Sequence, residues 1–254
     1  MMDYPLTVRS IYQRARTLFP DKPLVTRRPE GLRRTTYGDW ADRVARLAGG
    51  LGELGVEPGD RVATFCWNHD RHLEAYFTAA LMGASYHTLN IRLGGDQLAY
   101  IVNHAHDKVL VCDAELAEAI GPVLPGLGSI RHLLVLDAAD GQRPSLGFGG
   151  EHGYEDLVER SAPMTDWPEL DERQTAGICY TSATTGNPKG VAYSHRALYL
   201  HSLMVGLADT AAISERDVLL PIVPMVHVNA WGMPFAATWY GAGQVYGGPA
   251  PTPA

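Results

Sequence analysis

Apolar residues recur at helical spacing from Val8 through Ile11, Tyr12, Ala15 and Leu18, and Pro20 closes the run, so the pattern predicts a first helix capped by Thr7. Leu24 to Thr26 reads as a short strand. Thr36 followed three residues later by Asp39 is a capping-box pattern, and the helix it starts carries Trp40, Val44, Leu47 and Leu51 before Gly55 stops it. The turn Glu57-Pro58-Gly59-Asp60 feeds a strand, Arg61 to Trp67. Its run Val62-Ala63-Thr64-Phe65-Cys66 is nearly all apolar, as expected of a parallel strand covered on both faces. The alternation then repeats as helix 71–82, strand 85–89, helix 95–104, strand 109–112, helix 115–120 and strand 132–136. Strands alternating with helices require crossover connections, so the expected class is α/β, with mostly parallel sheets and helices on both faces.

From Asp137 to Asp171 the chain turns to glycine, proline and acids, with one helical piece around Leu157. Such a stretch predicts a surface connection. It divides a first α/β subdomain, residues 1–170, from a second, residues 171–254. The second begins with the apolar run Ala176 to Tyr180, continues with a returning strand Val191 to Tyr193 and a helix Ser194 to Leu207, and then predicts a strand Leu219 to Val223 and a helix His227 to Tyr240. From about Gly247 the proline- and glycine-rich residues predict a flexible tail.

Composition narrows the partners. Twenty-eight acids against 21 bases leave a net charge of −7, which disfavours nucleic acid. Cys66, Cys112 and Cys179 lie in apolar runs without metal-ligand spacing and read as reduced core thiols of a cytoplasmic protein. No apolar signal segment is visible at the amino terminus. The apolar stretch Val218 to Val245 is interrupted by Pro221, Pro224, His227, Asn229 and Pro234, so no membrane span is expected. His69, His72, His104 and His106 lack carboxylate or thiol company in sequence and read as surface or loop residues.

The chemistry concentrates after Tyr180, where Thr181-Ser182-Ala183-Thr184-Thr185-Gly186-Asn187-Pro188-Lys189-Gly190-Val191 places four hydroxyls in five residues and a lysine beside them. Backbone N–H groups, hydroxyls and a compact cation sharing one volume suit a phosphate. No Walker motif can be aligned, and a plain Ser/Thr/Gly turn between two strands is the competing reading. A second candidate is His227 with Trp231, which four-residue spacing on a helix would place on one face of a pocket.

In order as well as content, TSATTGNPKGV resembles the phosphate loop of the adenylate-forming (AMP-binding) enzyme superfamily. Pro224-Met225-Val226-His227-Val228-Asn229-Ala230-Trp231-Gly232 resembles a segment of its medium- and long-chain fatty acyl-CoA synthetase branch. The resemblance implies a ligase that joins a fatty acid to AMP from ATP and then to coenzyme A. It implies that Thr181, Ser182, Ala183, Thr184, Thr185, Gly186 and Lys189 bind the nucleotide phosphates, that Thr181 offers its hydroxyl to Mg²⁺, and that Val228 and Trp231 flank the nucleotide. His227 would be the catalytic residue, and His227, Asn229 and Trp231 would border the acyl substrate. An apolar tunnel there could select chain length, since burying each methylene is worth about 0.8 kcal/mol. Asn90-Ile91-Arg92-Leu93 resembles a family turn, with an Arg92 ion pair to an acid as the alternative. The family's later glutamate motif, ribose-binding aspartate, hinge and lid have no counterpart here, so the resemblance implies an amino-terminal portion that cannot complete the reaction alone. Other acyl- or aryl-CoA ligases, amino-acid adenylation domains and a non-catalytic binding or association module are the alternatives, and a homodimer through the amino-terminal segment is a further expectation.

Ala183 stands where the resembled loop usually has glycine. A β-carbon at a position needing positive φ or close phosphate approach costs about 1–2 kcal/mol. In the full-length protein, Ala183→Gly is therefore expected to tighten ATP binding in a calorimetric titration, and an unchanged dissociation constant would remove the argument.

Overall fold

The structure is a computed structural model that describes residues 3–138, 141–181 and 186–248. Its order is α1 (Val8–Leu18), β1 (Pro23–Arg28), β2 (Gly31–Thr36), α2 (Tyr37–Glu53), β3 (Arg61–Phe65), α3 (Asp70–Leu81), β4 (Ser85–Thr88), α4 (Gly95–Ala105), β5 (Val109–Cys112), a one-turn α5 (Ala117–Ile120) between two 3₁₀ turns, β6 (His132–Val135), β7 (Glu151–Gly153), α6 (Tyr154–Arg160), β8 (Thr175–Tyr180), β9 (Gly190–Ser194), α7 (His195–Val205), β10 (Val218–Leu219), a last helix Met233–Tyr240 and β11 (Gly243–Tyr246).

Seven strands form one sheet in the order β7-β6-β5-β3-β4-β8-β9, parallel throughout except for β9, which returns antiparallel beside β8 at the sheet edge. A second sheet has the order β10-β11-β1-β2, with β2 antiparallel. Strand β8 enters the first sheet against β4, pairing Tyr86 with Gly177 and Thr88 with Cys179, so strands from before and after the 137–171 connection share one ladder. One apolar cluster gathers α1, α2, α3 and α6 around Trp40. Its indole meets Tyr12 at 5.6 Å, Tyr37 at 5.8 Å and Phe77 at 4.8 Å. The second cluster covers the other face with α4 and the turns around α5.

Helix α3 is buried along its whole length, which forces its charged side chains into partnerships. Glu74, fully buried, accepts hydrogen bonds from Arg43 Nε at 2.7 Å, Arg71 Nη1 at 2.8 Å and Tyr154 Oη at 2.9 Å. Glu155 of α6 accepts from the same two arginines, and its carboxyl is held below its usual range by them against the cost of burial. Asp70 accepts from Arg33 and from Thr26 Oγ1. This network bolts α2, α3 and α6 together and joins them to the second sheet.

Several expectations are corrected. The Thr36–Asp39 capping box is present, but the Thr7 side chain caps nothing; the Val8 N–H donates instead to His195 Nδ1. The strand expected over Leu219–Val223 is only Val218–Leu219, because Pro221 and Pro224 cannot serve a ladder. The helix expected from His227 begins at Met233, after a turn described below. Strands β2, β7 and β11 had no clear alternation to announce them. His69 and His72 are buried rather than superficial, whereas His104 and His106 are exposed.

His72 sits between Thr64 Oγ1, 2.8 Å from Nε2, and the Trp67 carbonyl, 2.9 Å from Nδ1, and burial lowers its pKa to about 3. Burial lowers His195 to about 4. A histidine whose folded pKa is depressed leaves the unfolded chain binding the extra proton, so stability is full above about pH 6.5 and falls as pH drops toward the folded value. Unfolding free energies from urea titrations are expected to fall from pH 6.5 to 4.5, by up to about 1.4 kcal/mol per pH unit for each histidine. His72→Gln should remove its share of that slope. Glu74→Gln leaves two arginines short of their buried partner and is expected to cost about 3–5 kcal/mol in urea unfolding.

Candidate functional site

Strand β8 ends at Tyr180, which is paired with Gly190 of β9, so the hydroxyl-rich bend springs from the tip of an edge hairpin. Its root is closed by the Thr181 N–H donating to the Lys189 carbonyl at 3.0 Å; the Thr181 hydroxyl lies 3.4 Å from both the nitrogen and the oxygen of Lys189. Thr181, Gly186 and Lys189 are exposed, while Pro188 is buried and pins the bend to the body. Gly186 has φ +81°, a conformation that costs a glycine nothing. Ser182, Ala183, Thr184 and Thr185 lie outside the described residues. The Tyr180 ring is fixed beneath the bend, its hydroxyl 2.7 Å from His104 Nδ1 and its face 5.0 Å from the His87 ring.

The second block takes an unexpected form. Val228, Asn229, Ala230 and Trp231 have φ values of 49°, 53°, 48° and 59°, and Gly232 follows at 67°, so the chain makes one left-handed turn where a right-handed helix was expected. Each non-glycine residue in this conformation costs roughly 1–2 kcal/mol, and a β-branched valine is the least suited to it. Gly232 is required, because a Cβ there would lie 2.7 Å from His201 Nδ1. The turn is offset by a set of buried contacts. The Asn229 amide donates to Tyr86 Oη at 2.8 Å, and its Oδ1 accepts from the Cys179 thiol at 3.1 Å. Just upstream, Tyr76 Oη donates to the Met225 carbonyl at 2.5 Å, Thr88 Oγ1 to the Val226 carbonyl at 3.3 Å, and the Met225 N–H to Asn68 Oδ1 at 2.6 Å. Tyr86 stacks on Tyr76 with centroids 4.4 Å apart, and it crosses β8 over Gly177, where any side chain would collide with its ring.

Reversing the hand turns Asn229 and Ala230 inward and leaves His227, Val228 and Trp231 exposed, the indole to 65%. Asn229, expected beside substrate, is buried with both ends of its amide engaged within the protein. Cys179, two residues before Thr181, ties the strand that carries the bend to the turn that carries His227 and Trp231. Neither Cys179 nor Tyr86 was singled out in the sequence as a site residue. The only local cue to the turn is Asn229 and Gly232, residue types that tolerate left-handed backbone. Arg92 is exposed, its N–H donates to Asn90 Oδ1 at 3.0 Å, and no ion pair to it is seen among the described residues.

His69 does have thiol and carboxylate company in space, since ligand atoms of Cys66, His69 and Asp113 lie within 4.8 Å of one another. The His72 N–H donates to His69 Nδ1 at 2.9 Å, which leaves the ring proton on Nε2, and Nε2 donates to Asp113 at 2.8 Å. The nitrogen facing the thiol and carboxylate therefore offers no lone pair. The cluster is a capped start to α3, and Asp113 also accepts the Trp67 N–H at 2.7 Å. Among the described residues no helix is long and apolar enough to cross a membrane.

The chain is 47% identical over its whole length to a long-chain-fatty-acid–CoA ligase of Thermus thermophilus, of which it spans 45%. It is 39% identical over 98% of its length to a medium-chain-fatty-acid–CoA ligase of Ectopseudomonas oleovorans, of which it spans 46%. The chain thus covers less than half the length of these relatives. Among solved structures, a putative long-chain-fatty-acid CoA ligase from Rhodopseudomonas palustris superposes with a TM-score of 0.78 at 27% identity, over 94% of this chain and 57% of that one. The profile of the AMP-binding enzyme family matches residues 12–254, and the chain belongs to that family.

Proposed function

We propose that this chain supplies the nucleotide-gripping and acyl-bordering face of an ATP-dependent fatty acyl-CoA synthetase. In that reaction a carboxylate oxygen attacks the α-phosphorus of ATP, pyrophosphate departs, and the thiol of coenzyme A then displaces AMP from the acyl carbon. The observation that supports this reading is the hydrogen bond from Cys179 to Asn229, which ties the strand leading into Thr181 to the turn that carries the exposed His227 and Trp231.

The residues present fit a triphosphate. Lys189 is an exposed cation beside the Thr181 hydroxyl, and a fixed positive charge of this kind stabilises a departing pyrophosphate without reorganising. In sequence, Ser182, Ala183, Thr184, Thr185 and Gly186 follow Thr181 and would add hydroxyl and N–H donors for the same phosphates. The Thr181 hydroxyl is held only by long contacts and is free to turn toward a cation. Mg²⁺, when bound, neutralises phosphate charge and takes its remaining oxygens from phosphate, water and one or two carboxylates. His227, at the start of the left-handed turn, orients the reacting carboxylate through its imidazole. Val228 packs along the nucleotide, and Trp231 offers an indole face to the alkyl chain, which loses water from both surfaces on contact. Asn229 acts through the turn, by keeping it in its left-handed form.

Calorimetric titration of MgATP into the chain tests the reading. Binding is expected, and Lys189→Ala, by removing a charge-assisted contact, should weaken it by about 1.5–3 kcal/mol. Absence of binding by the unaltered chain, or equal binding by Lys189→Ala, would overturn the assignment.

A further inference from the structure

On the opposite edge of the large sheet, His132 opens β6 and His152 lies in the neighbouring edge strand β7. Leu134 is the register partner of His152, so the two-residue alternation of strands places both imidazoles on one face. His132 Nδ1 and His152 Nε2 are 3.2 Å apart, with ring centroids at 5.4 Å and planes tilted by 40°. Both side chains are half-buried, so the paired nitrogens are held by the sheet and still reachable from water.

That spacing matches a shared metal ion. Metal–imidazole bonds are about 2.0–2.1 Å, so two of them hold their nitrogens roughly 2.9 Å apart at a right angle and roughly 3.4 Å apart at a tetrahedral one. The observed separation, a hydrogen bond between the rings, lies between these limits, so a cation can replace the shared proton by turning the rings rather than shifting the strands. The Leu54 carbonyl, at the end of α2, acts on the His132 ring as a hydrogen-bond acceptor. With Nδ1 facing His152, Nε2 is the nitrogen left to donate to it, so Nδ1 keeps its lone pair and accepts the His152 Nε2–H, the proton a cation would displace. A backbone carbonyl fixing the far nitrogen is the usual outer support of a ligating histidine. Helix α2 is 17 residues long and has no basic residue in its last turn, so its negative end favours a cation here. Lys108 and Arg160 stand nearby and oppose one, but the Lys108 ammonium is drawn aside by Asp60 at 2.7 Å and the Gly55 carbonyl at 2.6 Å.

We propose that His132 and His152 form a two-histidine site for a first-row divalent cation of the nickel, copper and zinc group, with water completing the coordination. Imidazole suits these ions, whereas Mg²⁺ prefers oxygen, so the site is distinct in chemistry from any phosphate-linked metal and does not depend on the nucleotide reading.

Isothermal titration of NiCl₂ into the chain tests it, alongside His132→Gln, His152→Gln and the control His106→Asn. One Ni²⁺ per chain is expected for the unaltered protein and for His106→Asn, with each of the other two variants binding at least about tenfold more weakly. Loss in only one of the pair, no loss in either, or no binding by the unaltered chain would overturn the proposal. Electron paramagnetic resonance of the unaltered chain with one equivalent of Cu²⁺ gives an answer independent of how the variants fold. Two coupled nitrogens support the site, and none or one refutes it.

Discussion

The hydrogen bond from the Cys179 thiol to Asn229, continued by the Asn229 amide to Tyr86, is the contact on which the candidate site rests. It joins the end of β8, just before the hydroxyl-rich segment, to a turn fifty residues later. Without it the backbone from Val228 to Trp231 would have no reason to stay left-handed, because four adverse conformations in a row outweigh any local preference of those residues. A buried amide whose donor and acceptor are both satisfied is costly to displace, so the clamp converts core packing into a fixed surface arrangement. The tyrosine stack of Tyr76 and Tyr86 beneath it carries the same constraint back to α3 and β4.

Helix α3 is the second foundation. Its charged groups are buried together, and the ion pairs among Arg43, Arg71, Glu74 and Glu155 hold the surrounding helices to one orientation. Such a set adds modestly to net stability but penalises any repacking that separates its members. The sheet strands nearest the site, β4 and β8, are therefore backed by a layer that resists sliding.

Much of this was legible in the chain. The capping box at Thr36, the apolar run at Val62 and the strand–helix alternation identify α2, β3 and the parallel sheet because local chemistry and tertiary role agree there. The apolar run to Tyr180 and the return at Val191 identify the hairpin of β8 and β9. Periodicity misled at His227–Trp231, where a helical interval between two aromatic rings was produced by a turn of the opposite hand that long-range contacts impose. His69 and His72 misled for a related reason: a polar helix start can be buried when Asp113 and Thr64, distant in sequence, satisfy it. Short edge strands such as β7 and β10 carry too few residues to show a period at all.

Among the described residues, strand β9 has one neighbour in the sheet, β8, to which it is joined by an antiparallel ladder. The six parallel strands behind it can keep their pairing whatever that strand does. Displacing β9 would therefore break one ladder and leave in place the pairing of the parallel strands and the Cys179 contact to the turn that carries His227 and Trp231.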